Sequence, residues 1–288
     1  MSEQRGAAAE RRVWGALDAG ARQALETGLA PTDLQTLLMS VARTRARKVT
    51  AARVRKRWGE DRFVRPSSCD PRRLAEVEAR LWRLLPERFA GVELSPVAPL
   101  GTCSALGPVD QHRVVSTVLG TEVLSDPSNA LAVEAARRRR EHDRVDLAAC
   151  HRVLRAQATG PGQSAHFRLF ALVSSARTET DMLVDHLGFW QRALPAGAWV
   201  TVTPFGDRGL VEQLRERVAV PMVEDPDRRR GYGYYTGLAL GLRVQVDGRT
   251  VDLGDGGLTT WTAQLLGDRK ERCLISCVAT ERLAEVSR

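Results

Sequence analysis

The sequence predicts an α+β fold in which helices flank an antiparallel sheet, and three observations support this prediction. Strand and helix patterns alternate through the middle of the chain. The last third is rich in strands, and residues 235–246 and 249–253 are joined by Asp247-Gly248, a dipeptide typical of a hairpin turn. The first 65 residues are helical and basic in character. Because hairpins dominate, we expect an antiparallel sheet rather than a doubly wound parallel one.

Hydrophobic spacing and start signals place the individual elements along the chain. Pro31-Thr32-Asp33 is a helix start, and the apolar residues after it recur at helical spacing. A stripe that includes Leu74, Leu81 and Leu84 predicts another helix after residue 70. We also predict helices over 21–29, 129–140, 179–194, 210–218 and 260–266, and strands over 92–97, 114–118, 122–124, 147–157, 167–174, 199–204 and 273–278.

Composition excludes several classes of protein. The 288 residues are 43% hydrophobic and 27% charged, as in ordinary globular proteins. No stretch approaches 18 apolar residues and residues 1–9 lack a secretory signal, so we expect neither a membrane span nor secretion. The odd, scattered cysteines fit a reducing, cytoplasmic environment; they are Cys69, Cys103, Cys150, Cys273 and Cys277. Neither they nor the histidines show metal-ligand spacing, so no metal site is predicted.

A linker at residues 66–71 separates two regions of different character. Residues 1–69 are predicted to form a helical, basic N-terminal region, and residues 70–288 a larger domain. The chain carries a net charge of +8, and two basic runs lie in the first region: Arg43, Arg45, Arg47 and Lys48, followed by Arg53-Val54-Arg55-Lys56-Arg57. These runs form either a solvated helical face or a surface that contacts phosphates, and Trp58 and Phe63 are the aromatic residues nearby.

Familiar catalytic motifs are absent from the sequence. It contains no Gly-x-x-x-x-Gly-Lys phosphate loop and no Gly-x-Gly-x-x-Gly after a strand. It also lacks the Gly-x-Ser-x-Gly elbow of hydrolases and the His-Glu-x-x-His of zinc proteases. The sequence therefore argues against these four classes of site.

The most distinctive segment is residues 229–237, Arg-Arg-Gly-Tyr-Gly-Tyr-Tyr-Thr-Gly, which contains all three tyrosines of the chain. It resembles the Arg-Gly-Leu-Asp-Tyr-Tyr-Thr-Gly signature of histidyl-tRNA synthetases. The resemblance implies that Arg230 is catalytic and reaches the substrate carboxylate and the α-phosphate of ATP, where a fixed guanidinium stabilises the charge that develops. It also implies that Tyr234 and Tyr235 shape the substrate pocket.

A second segment is similar to motif 2 of class II synthetases. Leu154-Arg155-Ala156-Gln157 precedes a loop containing Gly160-Pro161-Gly162, and His166-Phe167-Arg168-Leu169-Phe170 follows it. The resemblance implies a catalytic and α-phosphate-binding role for Arg155 and nucleotide contacts for Gln157 and His166. It implies that Phe170 stacks on adenine, as suits a flat aromatic ring.

A third segment, Glu281-Arg282-Leu283, follows an apolar strand and is similar to the end of class II motif 3. The resemblance implies that Arg282 holds adenine against Phe170 and reaches the γ-phosphate through cation–π and charge interactions. ATP, accompanied by Mg²⁺, is therefore the expected cofactor, bound between Phe170 and Arg282 with its α-phosphate near Arg155.

The substrate side of the predicted site departs from the family. Asp126 and Asn129 align loosely with residues that hold the substrate ammonium group, although Asp126 is equally suited to be a helix N-cap. Gly233 stands where the family has an aspartate, so we expect that a cationic or imidazole side chain is no longer favoured. The departures suggest a changed carboxylate substrate.

The resemblance covers residues 70–285, which implies a class II synthetase-like catalytic core at 70–288. The chain ends soon after the third segment, so we expect no anticodon-binding domain. Three functions remain open: adenylate formation on a small carboxylate with transfer to an acceptor such as a carrier protein, a tRNA-like molecule or a partner enzyme; small-molecule binding by a non-catalytic regulatory paralogue; and nucleic-acid binding through the basic N-terminus. The resemblance also implies a homodimer formed through residues 70–97.

Overall fold

The computed structural model describes every residue except 1, 158–163, 207, 229, 230, 232 and 288, and it describes no side chain of residues 2–5. The chain divides into two compact units. One unit comprises residues 1–60 and 116–121, and the other comprises residues 61–115 and 122–288. No helix in these described ranges combines the length and the apolar character needed to cross a bilayer.

The first unit is built from helices, as its sequence predicts. They are α1 (Ser2–Trp14), α2 (Ala19–Gln23), which runs into a π-helical turn at Ala24–Gly28, α3 (Pro31–Ala46) and α4 (Ala51–Glu60). Helix α3 begins at Pro31 with Asp33 in its first turn, where a carboxylate stabilises the helix N-terminus. No described side chain among residues 6–60 is fully buried, so these helices have no core of their own.

The second unit contains an eight-stranded sheet with antiparallel pairing throughout its centre. Its strands lie in the order β1-β4-β5-β10-β9-β8-β6-β7. Only the outermost pairs, β1 with β4 and β6 with β7, are parallel. The bounds are β1 Ala90–Gly91, β4 Val145–Leu154, β5 His166–Ala176, β6 Trp199–Pro204, β7 Met222–Glu224, β8 Leu238–Val246, β9 Arg249–Thr259 and β10 Arg272–Ala279. A separate two-stranded sheet pairs β2 (Val97–Pro99) with β3 (Thr121–Val123).

Helices cover both faces of the large sheet. The remaining helices are α5 (Pro71–Leu84), α6 (Thr102–Leu106), α7 (Pro127–Arg138), α8 (Thr180–Ala193), α9 (Gly209–Arg217), α10 (Trp261–Leu266) and α11 (Thr280–Val286). One core contains residues of α5, α8, α9 and α11, including Leu81 and Phe189, and the other contains residues of α6, α7 and α10, including Trp261. Successive residues of β5 alternate between the two cores. The predicted α+β class with a sheet flanked by helices is confirmed.

The sequence underestimates the length of β9. It predicts a strand that ends at residue 253, because Gly254-Asp255-Gly256-Gly257 has the composition of a loop. In the structure β9 continues to Thr259 and pairs closely with β10. A Cβ atom at Gly254 would lie 1.9 Å from the Cys277 carbonyl oxygen, so glycine is required there by the close approach of the two strands. Of the predicted strand 92–97, only Val97 lies in a strand, at the start of β2. The predicted strand 114–118 does not form.

The apolar stripe on α5 offers little free surface for the homodimer predicted through residues 70–97. Leu81 is fully buried and Leu74 is 5% exposed, because the helix packs against α8 and α11 of the same chain. The helix begins with Asp70, whose side chain accepts a hydrogen bond from the Arg72 amide at 2.9 Å, followed by Pro71. A dimer contact in this region would therefore use other residues, such as Trp82, which is 37% exposed.

Candidate functional site

A cavity of about 350 Å³ lies on the α7 face of the large sheet. Its walls include the end of β4, the N-terminus of α7, the segment before β8, the glycine-rich part of β9 and the middle of β10. Six residues predicted from the sequence line the cavity, and only Gln157 among them has an exposed side chain. They are Asp126, Asn129, Arg155, Gln157, Tyr234 and Tyr235. Positions spread over 110 residues of sequence are thus brought to one site.

Arg155 follows β4 and is fixed at the cavity wall by three contacts. Its Nε donates to the Ser125 carbonyl oxygen at 2.9 Å, and its Nη2 lies 3.5 Å from a carboxylate oxygen of Asp126. Its guanidinium carbon lies 5.0 Å from the centre of the Phe167 ring. Because about a third of the side chain stays exposed (32%), the guanidinium remains available to an anionic group in the cavity.

The N-terminus of α7 supplies the opposite chemical character. Asp126 is the N-cap, and its Oδ1 accepts from the Ser128 amide at 2.9 Å, so the helix-cap interpretation of this residue is correct. Its other oxygen faces Arg155, so the capping role does not remove the residue from the cavity. Asn129, one turn later, is only 3% exposed.

The carboxamide oxygen of Asn129 is the least satisfied polar atom of the wall. Its Oδ1 is buried and has no hydrogen-bond partner among the residues that the structure describes. A buried acceptor without a partner costs about 1–3 kcal/mol, so such atoms are rare in folded proteins unless something else satisfies them. A hydrogen-bond donor on a molecule in the cavity would satisfy this one.

Tyr234 and Tyr235 form an aromatic wall that depends on nearby glycines. The two rings meet edge to face at 4.9 Å, and Tyr234 packs in the same way on Trp261 at 5.2 Å. Gly231 has a φ of +87°, and a Cβ there would lie 2.7 Å from the Tyr235 ring. Burial raises the pKa of both phenols well above the ordinary value, so both remain protonated donors.

Asp255 on β9 is a cavity residue that the sequence analysis missed. The Cys277 thiol lies 3.9 Å from its Oδ1, and the Arg228 guanidinium lies 3.7 Å from its Oδ2. Half of its side chain still reaches solvent through the mouth of the cavity (52%). Enclosure by the cavity walls, together with the nearby Asp126 carboxylate, raises the pKa of Asp255, whereas Arg228 and Arg155 oppose this change.

The cavity carboxylates bear on the expectation drawn from Gly233. The sequence suggested that the site had lost its acidic partner for a cationic side chain, because glycine replaces the family's aspartate at 233. The cavity nevertheless holds two carboxylates, Asp126 and Asp255, supplied by other elements. An available signal was a carboxylate flanked by glycines, Gly254-Asp255-Gly256, in a segment that continues a predicted strand.

The structure does not bring Phe170 to the cavity. Its ring is fully buried in the core on the opposite face of the sheet, where it meets Trp82 at 4.8 Å and Phe189 at 5.8 Å. Phe167, three residues earlier, lies on the same face as Arg155 and contacts its guanidinium. The alternation of β5 thus places Phe167, rather than Phe170, against Arg155, although Phe167 does not itself line the cavity.

Two other predicted residues that the structure describes, Arg282 and His166, do not line the cavity. Arg282 is exposed on α11 and donates to the Asp252 carbonyl oxygen at 2.9 Å. His166 contacts Arg152 through Nδ1 at 2.9 Å and the Arg65 carbonyl oxygen through Nε2 at 2.8 Å. Arg230, the predicted catalytic arginine, and the Gly160-Pro161-Gly162 loop lie outside the described residues.

The described residues contain no group of three or more His, Cys, Asp and Glu side chains that could hold a metal ion. The two cavity thiols are also poor ligands. Burial raises the pKa of the Cys103 thiol, and it raises that of Cys277 well above the ordinary value, so both stay protonated at neutral pH.

Comparison with known proteins locates the fold but not a close relative. No family model matches the chain, and no curated protein sequence is similar to it. Solved structures do match. The histidyl-tRNA synthetase of Staphylococcus aureus aligns over 74% of this chain at 16% identity with a TM-score of 0.59, and this chain spans 65% of its length.

This chain covers a larger share of two other solved structures. A Bacillus halodurans protein described as an ATP phosphoribosyltransferase regulatory subunit/histidyl-tRNA synthetase aligns over 78% of this chain and 82% of its own, with 12% identity and a TM-score of 0.60. A histidine–tRNA ligase subunit from Alicyclobacillus acidocaldarius aligns over 77% of this chain and 94% of its own, also at 12% identity and 0.60. The chain has the fold of the class II aminoacyl-tRNA synthetase catalytic core, in the form found in histidyl-tRNA synthetases and their paralogues.

Proposed function

We propose that the cavity binds a small, amino-acid-like ligand that carries both an ammonium group and a carboxylate. The observation that carries this proposal is the buried, unpaired Oδ1 of Asn129, which lines the same cavity as the Asp126 carboxylate and the partly exposed Arg155 guanidinium. Acceptors and a fixed cation in one cavity suit a zwitterion, because each ligand charge can meet a group of opposite sign.

The size and lining of the cavity agree with such a ligand. A volume of about 350 Å³ lies at the lower end of the usual range for small-molecule sites, which extends to about 1,000 Å³. Tyr234 and Tyr235 supply an apolar surface with polar tips for the ligand's side chain. Asp255 extends the acidic wall toward that side chain, which favours a side chain with a hydrogen-bond donor.

Calorimetry with the proteinogenic amino acids, their amides and the corresponding amines tests this proposal. We expect at least one amino acid to bind, and its amide and amine to bind at least tenfold more weakly, because each lacks one charge. Arg155→Gln and Asn129→Ala should each weaken binding about tenfold or more. Arg83→Gln, which removes an exposed arginine on α5, is the matched control and should bind normally. Equal binding of acid, amide and amine would contradict the proposal.

A second candidate function is formation of an adenylate on the bound carboxylate, and the contact between Arg155 and Phe167 favours it. ATP, carried with Mg²⁺, would supply the adenylyl group in this reaction. The residues fit the nucleotide in part: Arg155 offers a guanidinium at the cavity wall, and the aromatic ring of Phe167 lies against that guanidinium. Phe170 and Arg282 do not fit, since the first is buried in a core and the second is held by Asp252.

Exchange of labelled pyrophosphate into ATP in the presence of the bound amino acid separates the two candidates. If the chain forms an adenylate, Arg155→Ala and Arg230→Ala should each slow exchange by about 10²–10³-fold, because they stabilise charge that peaks in the transition state. Loss of exchange should exceed loss of ground-state binding. Tight amino-acid binding without any exchange would instead favour a regulatory, non-catalytic role of the kind named for one structural neighbour.

The location and the partners of the protein are further parts of the proposal. Because all five cysteines are free thiols, we propose a reducing, cytoplasmic location. We also propose a homodimer, and an acceptor for the activated carboxylate that is a carrier protein, a tRNA-like molecule or a partner enzyme. Sedimentation at micromolar concentration tests the dimer, and a monomer alone at that concentration would contradict it.

A further inference from the structure

The charge of this protein is concentrated in one short segment. Residues 43–57 contain six arginines and two lysines and no acidic residue, a charge of +8 that equals the net charge of all 288 residues. The rest of the chain is therefore neutral overall. A run of like charges this dense repels itself, so it is stable only in water or against an anionic partner.

The whole segment is presented to solvent. Every residue from 41 to 60 is exposed, including both the C-terminal turn of α3 and all of α4. Helix α4 places four cations within five residues, Arg53 to Arg57, which is about 6 Å of helix axis. At the C-terminal end of this run, the Glu60 carboxylate lies 4.0 Å from Lys56.

One aromatic side chain interrupts this basic surface. Trp58 is 57% exposed and lies one helical turn after Val54, which is 55% exposed. A large, exposed indole among cations is unusual for a solvated helix, since burial of such a ring is strongly favourable. Cations that track a phosphate backbone together with an aromatic ring that stacks on bases are the usual means of binding unpaired nucleic acid.

We propose that residues 43–58 bind RNA through its phosphates, with Trp58 stacking on an unpaired base. RNA is favoured over an anionic membrane because the apolar strip on α4 is narrow. Ala51, Val54 and Trp58 offer too little apolar surface to anchor a ten-residue helix in a bilayer. RNA is favoured over duplex DNA, because unpaired bases are characteristic of RNA loops and stack readily on aromatic rings.

Fluorescence anisotropy with the full chain and a labelled 20-nucleotide single-stranded RNA tests the proposal. Neutralising about six to eight phosphates predicts a log–log salt slope of about −4 to −6. Arg47→Gln, Arg53→Gln and Arg55→Gln combined should weaken binding about 100-fold at 0.1 M salt and reduce the slope by about 2. Trp58→Ala should weaken RNA binding about tenfold and leave the salt slope unchanged.

The matched control removes the same charge elsewhere. Arg83→Gln, Arg249→Gln and Arg269→Gln combined change three exposed arginines of the second unit and should leave RNA binding intact. Equal losses in both triple variants would overturn the assignment to residues 43–58. Tighter binding to a duplex DNA of the same length, or binding to phosphatidylserine vesicles with no RNA binding, would overturn the assignment to RNA. Because residues 43–58 line no part of the cavity, RNA binding and amino-acid binding can fail independently.

Discussion

Arginine is used in opposite ways in the two units of this protein. In the second unit, Arg139 is 7% exposed and makes two hydrogen bonds of 2.8 Å to Glu271, which is 3% exposed. Between residues 43 and 57, six arginines are fully on the surface and no carboxylate lies within the segment. The first arrangement satisfies the charge inside the fold, whereas the second keeps the charge at the surface.

The difference shows why a count of arginines alone says little about function. Arg139 and Glu271 are 132 residues apart in sequence, and pairing becomes visible only when α7 and β10 pack together. The basic run, by contrast, is visible in the sequence, because no fold can neutralise it from within its own 15 residues. Net charge is therefore informative about partners only after internal pairs have been removed from it.

Arg139→Met should produce the largest change in stability. It leaves the buried carboxylate of Glu271 without its charge partner, which typically costs about 3–5 kcal/mol. Chemical denaturation should show this as a lower midpoint with an unchanged m-value. Glu271→Leu added to Arg139→Met should restore most of the loss, because the double variant leaves no unpaired charge. A double variant as unstable as the single one would show that packing rather than charge controls this site.

The buried histidine His186 should make the stability of the fold depend strongly on pH, because a buried charge is again unfavourable. Its ring nitrogens contact the Ser174 and Ser276 hydroxyls at 2.9 and 2.8 Å, and complete burial, aided by the Arg144 charge, lowers its pKa to about 3. The unfolded chain binds a proton near pH 6.5 and the folded chain does not, so stability is complete above pH 6.5 and falls as pH decreases toward 3. The loss attributable to His186 should be on the order of 4 kcal/mol.

Denaturation midpoints measured between pH 3 and 7 test this effect. His186→Gln, which keeps hydrogen-bonding capacity without titrating in this range, should reduce the pH slope by about one proton whatever its effect on absolute stability. An unchanged slope would mean that other groups control the acid sensitivity.

The exposed arginines should produce the smallest change in stability. Arg47→Gln, Arg53→Gln and Arg55→Gln combined should leave the melting temperature unchanged or slightly higher, because removing like charges relieves repulsion. Scanning calorimetry at low salt, where surface repulsion is least screened, is the sensitive measurement. A clear drop in melting temperature would show that these arginines pair within the fold, and it would remove the contrast with Arg139.

Much of the fold could be predicted because its signals are local. The start of α3 at Pro31, the cap of α7 at Asp126 and the hairpin at Asp247-Gly248 each depend on a few adjacent residues. The length of β9 was underestimated because its glycines allow a close approach to β10. Which strands pair is not a local property of the sequence.

The site was harder to predict than the fold. Several polar residues implied by the resemblance line the cavity, whereas Phe170 lies on the opposite face of β5 from Phe167, as the two-residue alternation of a strand requires. The sequence signal for Asp255 was its flanking glycines, but the approach of Arg228 to its carboxylate depends on how β8, β9 and the preceding loop meet. The unpaired oxygen of Asn129 has no sequence signal, because the absence of a partner is a property of the packed structure.

Asn129 also sets stability against function at one position. The fold tolerates an unsatisfied acceptor in its interior, and replacing it by an apolar group of similar shape would remove that cost. A search for heat-resistant variants with no demand for ligand binding should therefore accept Asn129→Leu readily, whereas selection for activity should keep asparagine. The residue that makes the empty protein less stable is then the one through which the ligand would make it more stable.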